Sequence, residues 1–514
     1  MIASRAILRM VKSSQSSRAC SDPLARAAVH CNVPGPPDAD FAQMPYAHVR
    51  LLPGLGVRTI DRPVLPRCSK PEPMDLDDMP MPVPASTPTL RRPPQSAGMA
   101  ITLIALALLG GTAARAVLSP LQELMQSDLG LTDNQVSLIQ GAAMALPLVV
   151  VSMPIGRLVD RASRTRLLIA LALLCAVGSA LTALAHSFTL MFVARMMVGV
   201  AGGAALPAAV SLGADLSRTG NRSKVMALLG MGQIVGVGGA YFLAGSLLGH
   251  LPATLDVGAG LGTLAAWRVV QGVFSGAMLA LALVLFLLRE PVRQEVEQAE
   301  VKGLRAVLRE LAEHRRVLVP LVVGMVSVGM ADAAANIWAV PVLTRSLHVP
   351  PAEFGAWMGL LLTAAGFLGV ILGGVAGDVG QRLGGTPGLL GAAAVAAALA
   401  TPMAVFPVMS SVGGFAALLG LLMLLGSSIG IISTAAITVA IPNELRGVSL
   451  SLVGTIGILV GLGVAPTLVT FIAQVAGYGT DIRVPLTAVG LTGSVISMAA
   501  YLVAMRAARI AGPN

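Results

Sequence analysis

From residue 99 to residue 507 the chain is a succession of twelve apolar runs, each long enough to cross a bilayer. A helix needs about 20 apolar residues to span the hydrocarbon core. In lipid every backbone N–H and C=O must be satisfied within its own segment, so a run of this length with no closed barrel to join can only be helical. The expected limits are 99–124, 135–158, 167–185, 188–214, 224–248, 266–288, 317–343, 354–376, 388–408, 413–441, 448–476 and 484–507. The fold class that follows is an all-α membrane protein of twelve transmembrane helices. Composition agrees: 12% of residues are charged, against about 25% in an ordinary soluble domain.

The second and third runs are separated by GRLVDRASRTR, Gly156 to Arg166, with four arginines and one aspartate. Such a loop cannot enter the hydrocarbon. A sparser copy, GVAGDVGQR, lies 218 residues downstream, where Gly374, Asp378 and Arg382 repeat Gly156, Asp160 and Arg164. The stretches beginning at Leu129 and Leu347 stand at the same offset, and Arg222 and Arg446 each precede a glycine by eight residues. The chain therefore divides into two pseudo-symmetric six-helix halves, 99–288 and 317–507. A linker, 289–316, joins them, and a short C-terminus, 508–514, follows. Internal repeats of this size are common in secondary transporters, where the solute site falls between the halves near the bilayer midplane.

Charge gives the orientation. From residue 99 on, the even-numbered connections and the C-terminus hold 18 Lys and Arg, and the odd-numbered connections hold 3. Positive residues concentrate on the cytoplasmic side, so both termini are expected there, in the inner (plasma) membrane of a bacterial-type cell. The linker carries Leu304, Val307, Leu308 and Leu311 at helical spacing and reads as an amphipathic helix on the cytoplasmic surface. Residues 1–98 hold 16 of the 33 prolines and no run of spanning length, so this tail is expected to be disordered. Met99 is the start the reading favours. The formal charge of +10 reflects topology rather than nucleic-acid binding, because the basic residues are dispersed among loops. Four cysteines without a CxxC pair indicate neither a disulfide framework nor a metal site. Thr132 to Gln135 has the form of a capping box opening the second helix.

These motifs carry a family resemblance. GRLVDRASR resembles the signature loop between helices two and three of the major facilitator superfamily. LTDNQVSLIQG, ARMMVGVAGGA, LREP and IWAVPVLTRS are similar to its Spinster-like and organic-anion branch over residues 100–505. The resemblance implies alternating access, with a latch formed by Gly156, Asp160, Arg161, Arg164, Gly374, Asp378 and Arg382. Asp160 would face the start of helix eleven near Glu444 to Ser449, and Asp378 the start of helix five near Asn221 to Val225. Because Val379 stands where the first loop has Arg161, the latch is expected to be stronger through Asp160. Two departures stand out. Spinster-like proteins carry an acid where this chain has Ala114, and a glutamate where it has Gly202.

Charged residues at a helix centre cost about 2.5–3.5 kcal/mol on insertion scales, so those retained there are candidates for function. Arg115 on the first helix and Arg195 on the fourth would bind an anion, with Gln140 and Asn336 as further solute contacts. Asp332 on the seventh helix lies one residue from the repeat equivalent of Arg115 and is the candidate proton-coupling group. Burial and a bound partner pull its proton affinity in opposite directions, which suits proton exchange. Two alternatives stay open: Arg115 and Asp332 form a structural ion pair, or Arg195 serves the fold in general. No catalytic grouping, P-loop or metal-ligand spacing occurs in the spans, so the chain is read as a transporter rather than an enzyme, with no cofactor. The expected activity is transport of a small anionic organic solute, with proton symport as one form, by a monomer in the lipid bilayer that binds no nucleic acid. Efflux of lipophilic compounds, or a membrane sensor that binds solute without moving it, are the alternatives.

Overall fold

A computed structural model describes residues 96–217, 219–256, 263–291, 293, 309, 312–441 and 443–511. The expected amphipathic linker helix and the N-terminal tail up to residue 95 lie outside them. Twelve helical crossings run in order. α1 runs over Ala97–Ala116 and continues through Val117 as Leu118–Leu129. α2 comprises Asp133–Ser137, a π turn Leu138–Ala142 and Ala143–Arg161. α3 (Arg164–Leu184), α4 (Phe188–Leu216), α5 (Arg222–His250) and α6 (Ala266–Leu285) complete the first six. A short hairpin, β1 (Thr254–Asp256) with β2 (Thr263–Ala265), joins α5 to α6.

α7 (Arg315–Pro341) ends in a second π turn, Val342–Ser346. The continuous helical stretch Pro351–Met403 is two crossings, α8 (351–383) and α9 (386–403), because Gly384 and Gly385 leave helical geometry between them. Gly385 has φ 59°, a left-handed conformation open to glycine at little cost. α10 (Val412–Ala440), α11 (Asn443–Gly457, a π turn Ile458–Leu462, then Gly463–Val475) and α12 (Arg483–Ala511) finish the second six. The expected capping box is present: Thr132 accepts from the Gln135 N–H while Gln135 accepts from the Thr132 N–H.

Within each half the helices close on alanine, glycine and leucine. Ala201, Ala204, Ala205, Ala208 and Leu212 of α4 are buried with Leu168, Leu171 and Cys175 of α3. Between halves, glycines let backbones approach. A Cβ on Gly245 of α5 would lie 2.6 Å from the Gly355 Cα of α8, and one on Gly141 of α2 would lie 2.6 Å from the Leu462 carbonyl of α11. Helices in lipid gain their association from this close packing, since the surrounding tails are as apolar as the side chains. These contacts lie toward the end of the bundle opposite the GRLVDRASRTR loop. That is the far end of the bundle, and the loop side is its basic end.

Candidate functional site

Arg195 is fully buried, its two terminal nitrogens bond to protein and its Nε has no partner among the described residues. The terminal nitrogens donate to the carbonyls of Ala114 (3.3 Å) and Arg115 (2.8 Å) and to the Met144 sulfur (3.1 Å). α1 passes through Val117, which keeps helical φ and ψ (−58° and −26°) and donates to the Ala113 carbonyl, into Leu118–Leu129, so Arg195 ties α4 to α1 through carbonyls next to that junction. Arg115 behaves differently. It is partly accessible, its Cδ lies over Gly202, and a Cβ there would be 2.6 Å away. Its guanidinium makes no hydrogen bond or ion pair among the described residues.

Gln140 is drawn into a buried cluster on the first two helices, accepting from the Ser119 hydroxyl (3.3 Å) and donating to the Gln122 carbonyl oxygen. In this conformation it faces protein rather than an opening. Sequence reasoning missed Ser119 and Gln122, although Ser119, Gln122 and Gln126 recur at helical spacing and could have marked a polar stripe. Asn336 donates to the Asp332 carbonyl (2.8 Å) and the Met423 sulfur (3.4 Å), and its own carbonyl accepts from the Tyr241 hydroxyl (3.0 Å). Tyr241 belongs to α5, so this bond joins the halves.

The Asp332 carboxyl packs against Gly426 of α10, with Cγ and Oδ1 each 2.6 Å from where a Cβ would be. Oδ1 is buried without a hydrogen-bond partner. No ion pair joins Asp332 to Arg115. The structure thus sets the two charges apart, each against its own half.

At the basic end Arg164 is almost fully buried and joins three segments of one half: Asp215 at the end of α4 (2.5 Å), Ser211 (2.9 Å) and Glu290 after α6 (3.0 Å). Glu290 also accepts the Arg164 and Thr165 amides that open α3 and the Ser163 hydroxyl. Burial alone would push its carboxyl up, but those donors outweigh it and hold it at about 2. The Asp160 carbonyl accepts from Arg293. A Cβ on Gly156 or Gly374 would meet nothing within 4 Å. Arg161, Asp378 and Arg382 are exposed. The side chains of 443–448, where Asp160 was expected to dock, lie outside the described residues.

Among the described residues the cross-half ion pairs lie at the far end, and sequence reasoning missed them. Arg345, ending α7, meets both Glu123 oxygens (2.9 Å each), both Asp133 oxygens (3.0 and 2.8 Å) and the Gln126 carbonyl oxygen (2.9 Å). All three partners belong to the other half. Arg268, beside them on α6, pairs with Asp128 (2.9 Å), donates to the carbonyls closing α3 and stacks on Trp267 at 4.6 Å. A cavity of about 1030 Å³ opens at the basic end of the second half between Arg316, Gln381, Pro387 and Ile437. Its lining includes neither Arg115 nor Asp332.

The sequence matches the family model described as Major Facilitator Superfamily over residues 103–466. A triacylglyceride transporter of Mycobacteroides abscessus is 32% identical over 243 residues, covering 46% of this chain and 43% of that protein. One from Mycolicibacterium smegmatis is 29% identical over 269 residues, 49% and 42% of the respective chains. The chain spans less than half the length of these curated relatives. Among solved structures, an inward-facing, unoccupied bacterial homolog of the human lysosomal transporter Spinster superposes with a TM-score of 0.70 at 19% identity, over 80% of this chain and 97% of that one. The nucleoside transporter NupG gives 0.62 at 12% identity, over 79% and 99%. At such identities the likeness is one of fold.

Proposed function

Because the chain belongs to the Major Facilitator Superfamily, and is therefore a multi-pass membrane transporter rather than an enzyme, we propose that it moves a small organic anion by alternating access. The observation that carries the reading is Arg115. It is a cation on the first helix, partly accessible, whose guanidinium has no hydrogen-bond or ion-pair partner among the described residues. An unpaired charge among helices is costly, and a carboxylate or phosphate on the solute supplies the missing partner in bidentate form. Arg195 braces the helix carrying Arg115, so that its contribution to the solute is indirect. Gln140 and Asn336 help shape the site from the two halves.

Asp332 is the coupling group. Its Oδ1 is buried without a hydrogen-bond partner among the described residues, so a proton on the carboxyl accompanies a negative solute arriving at Arg115. Solute and proton then load together and leave together. The cytoplasm is the side of the basic end, as the distribution of Lys and Arg supports, in the plasma membrane of a monomeric carrier. The signature loop and its copy act as the latch on that side, and the Arg345 bridge closes the other. A second reading has an observation of its own: the curated relatives are named for triacylglyceride transport, which favours a neutral acylglycerol.

The test is uptake of organic anions of graded chain length into proteoliposomes, with and without an imposed pH gradient. Gradient-driven flux that disappears in Asp332→Asn, with solute counterflow retained, is the expected result. Flux indifferent to both the gradient and the substitution would overturn proton coupling.

A further inference from the structure

The charged side chain on the first helix of each half lies where a glycine on the fourth helix of that half has no side chain. In the first half the pair is Arg115 and Gly202, and in the second it is Asp332 and Gly426. The two glycines are separated by 224 residues, the same offset as Arg222 and Arg446, and the two charges by 217, one short of the offset that relates the charged loops. The arrangement is repeated by the fold while the sign of the charge is reversed.

We propose that Gly202 and Gly426 are positioning residues, paired seats that fix where Arg115 and Asp332 stand relative to the solute path. This rests on the reading of those two residues given above. The geometry is most restrictive at Gly426. The three nearest atoms to a Cβ there all belong to Asp332, namely Oδ2, Cγ and Oδ1, the last two at 2.6 Å. Contacts under 3.0 Å are ones real Cβ atoms essentially never make. Aspartate has one short rotatable arm, and its backbone is held by Asn336 through the 2.8 Å bond to the Asp332 carbonyl. A methyl group at 426 therefore moves the carboxyl out of its seat. At Gly202 the nearest atoms are Arg115 Cδ at 2.6 Å and Cγ at 3.1 Å, with the Gly111 carbonyl at 2.9 Å. There a methyl group would press on a helix backbone as well, so Gly426 gives the cleaner test.

Seating has a chemical consequence. Each charge is held against the fourth helix of its own half, which keeps Arg115 and Asp332 from collapsing onto one another and leaves both free for solute and proton. A third glycine, Gly430, lies one turn beyond Gly426 on the same helix, and a Cβ there would meet nothing within 4 Å. It is the internal control.

The experiment compares Gly426→Ala and Gly430→Ala in the full chain, and repeats Gly426→Ala in an Asp332→Ala background. Melting of the purified protein is expected to fall in Gly426→Ala, to be unchanged by adding Gly426→Ala to Asp332→Ala, and to be unchanged in Gly430→Ala. Should Gly426→Ala fail to fold while Asp332→Ala/Gly426→Ala folds, the seat is confirmed by that rescue. In proteoliposomes Gly426→Ala is expected to lose gradient-driven uptake at least tenfold while counterflow stays within twofold. Equal destabilisation in both backgrounds, or equal loss of uptake and counterflow, would reduce Gly426 to helix packing and overturn the proposal. If no organic anion is carried by any variant, the solute reading fails on its own and the melting comparison still decides the seat.

Discussion

Replacing Arg345 with alanine should open the far end of the transporter. The guanidinium bridges Glu123 and Asp133 across the halves, and the three side chains are 22%, 23% and 13% exposed. That exposure sets the magnitude. Breaking a fully buried ion pair costs about 3–5 kcal/mol, and an exposed one contributes about 0–1 kcal/mol. A partly buried bridge with two carboxylates and bidentate geometry falls between, at about 2–3 kcal/mol. Under the proposed alternating access the bridge forms when the far end is shut, so its loss is expected to shift the two-state population by about 30- to 150-fold toward the far-end-open form. The two acids left facing each other add repulsion in the same direction. Lysine at 345 keeps the charge but cannot span two carboxylates as a planar fork, so Arg345→Lys should fall in between. The assay is a spin-label distance between Ser127→Cys and His348→Cys, both exposed at the far end, with the four native cysteines replaced. A longer distance population that grows from wild type through Arg345→Lys to Arg345→Ala is expected. An unchanged distribution in Arg345→Ala would show that close packing, such as that at Gly245 and Gly355, holds the end shut without the ion pairs.

Two further outcomes follow from the same contacts. Arg195→Ala leaves the Ala114 and Arg115 carbonyls without their donor and should lower stability by about 2–4 kcal/mol, seen as a lower melting temperature, whereas Arg115→Ala should not lower melting, because its guanidinium has no hydrogen-bond or ion-pair partner among the described residues and an unpaired charge among helices is itself costly. Equal melting of the two variants would refute the division of roles between brace and binder. The carboxyl of Glu290 is held at about 2, below the usual value of about 4.3, so its contribution is full above about pH 4.3 and is lost as pH falls through about 2. Glu290→Gln should therefore cost about 0.5–2 kcal/mol near neutral pH and flatten the loss of stability between about pH 5 and about pH 2. A variant that melts like wild type across that window would remove Glu290 as the cap of α3.

What the sequence made legible is what depends on near neighbours. Apolar runs of spanning length and the Thr132 to Gln135 box lie within a few residues of themselves, and each is found in the structure, whereas the charged repeats expected as loops are largely helical: Gly156 to Arg161 closes α2, Arg164 opens α3, and Gly374 to Arg382 lies within α8. The glycine break between α8 and α9 also follows from local composition. The three π turns do not, because Leu138 to Ala142 and Ile458 to Leu462 carry no residue pattern that separates them from ordinary helix. The candidate charges could be named from their cost in lipid, but their partners could not. Asp332 and Gly426 are 94 residues apart and Arg345 and Glu123 are 222 apart, and no periodicity encodes a contact between helices. For the same reason Arg195 and Arg115 looked alike in sequence, at similar depth with the same chemistry. They separate only when the Ala114 and Arg115 carbonyls are seen bonded to one of them and a glycine is seen beside the other.

The decisive question is whether Arg115 reads a negative charge on the solute. It can be put with one matched pair, a long-chain carboxylate and its neutral methyl ester, each measured for uptake by wild type and by Arg115→Gln. Wild type should prefer the carboxylate by at least about tenfold in kcat/KM, as expected when a charged group built to pair with the solute is left unpaired by the analogue, and Arg115→Gln should lose that preference. Equal transport of acid and ester by wild type, undisturbed by the substitution, would contradict an anion carrier and assign the protein to neutral acyl lipids instead.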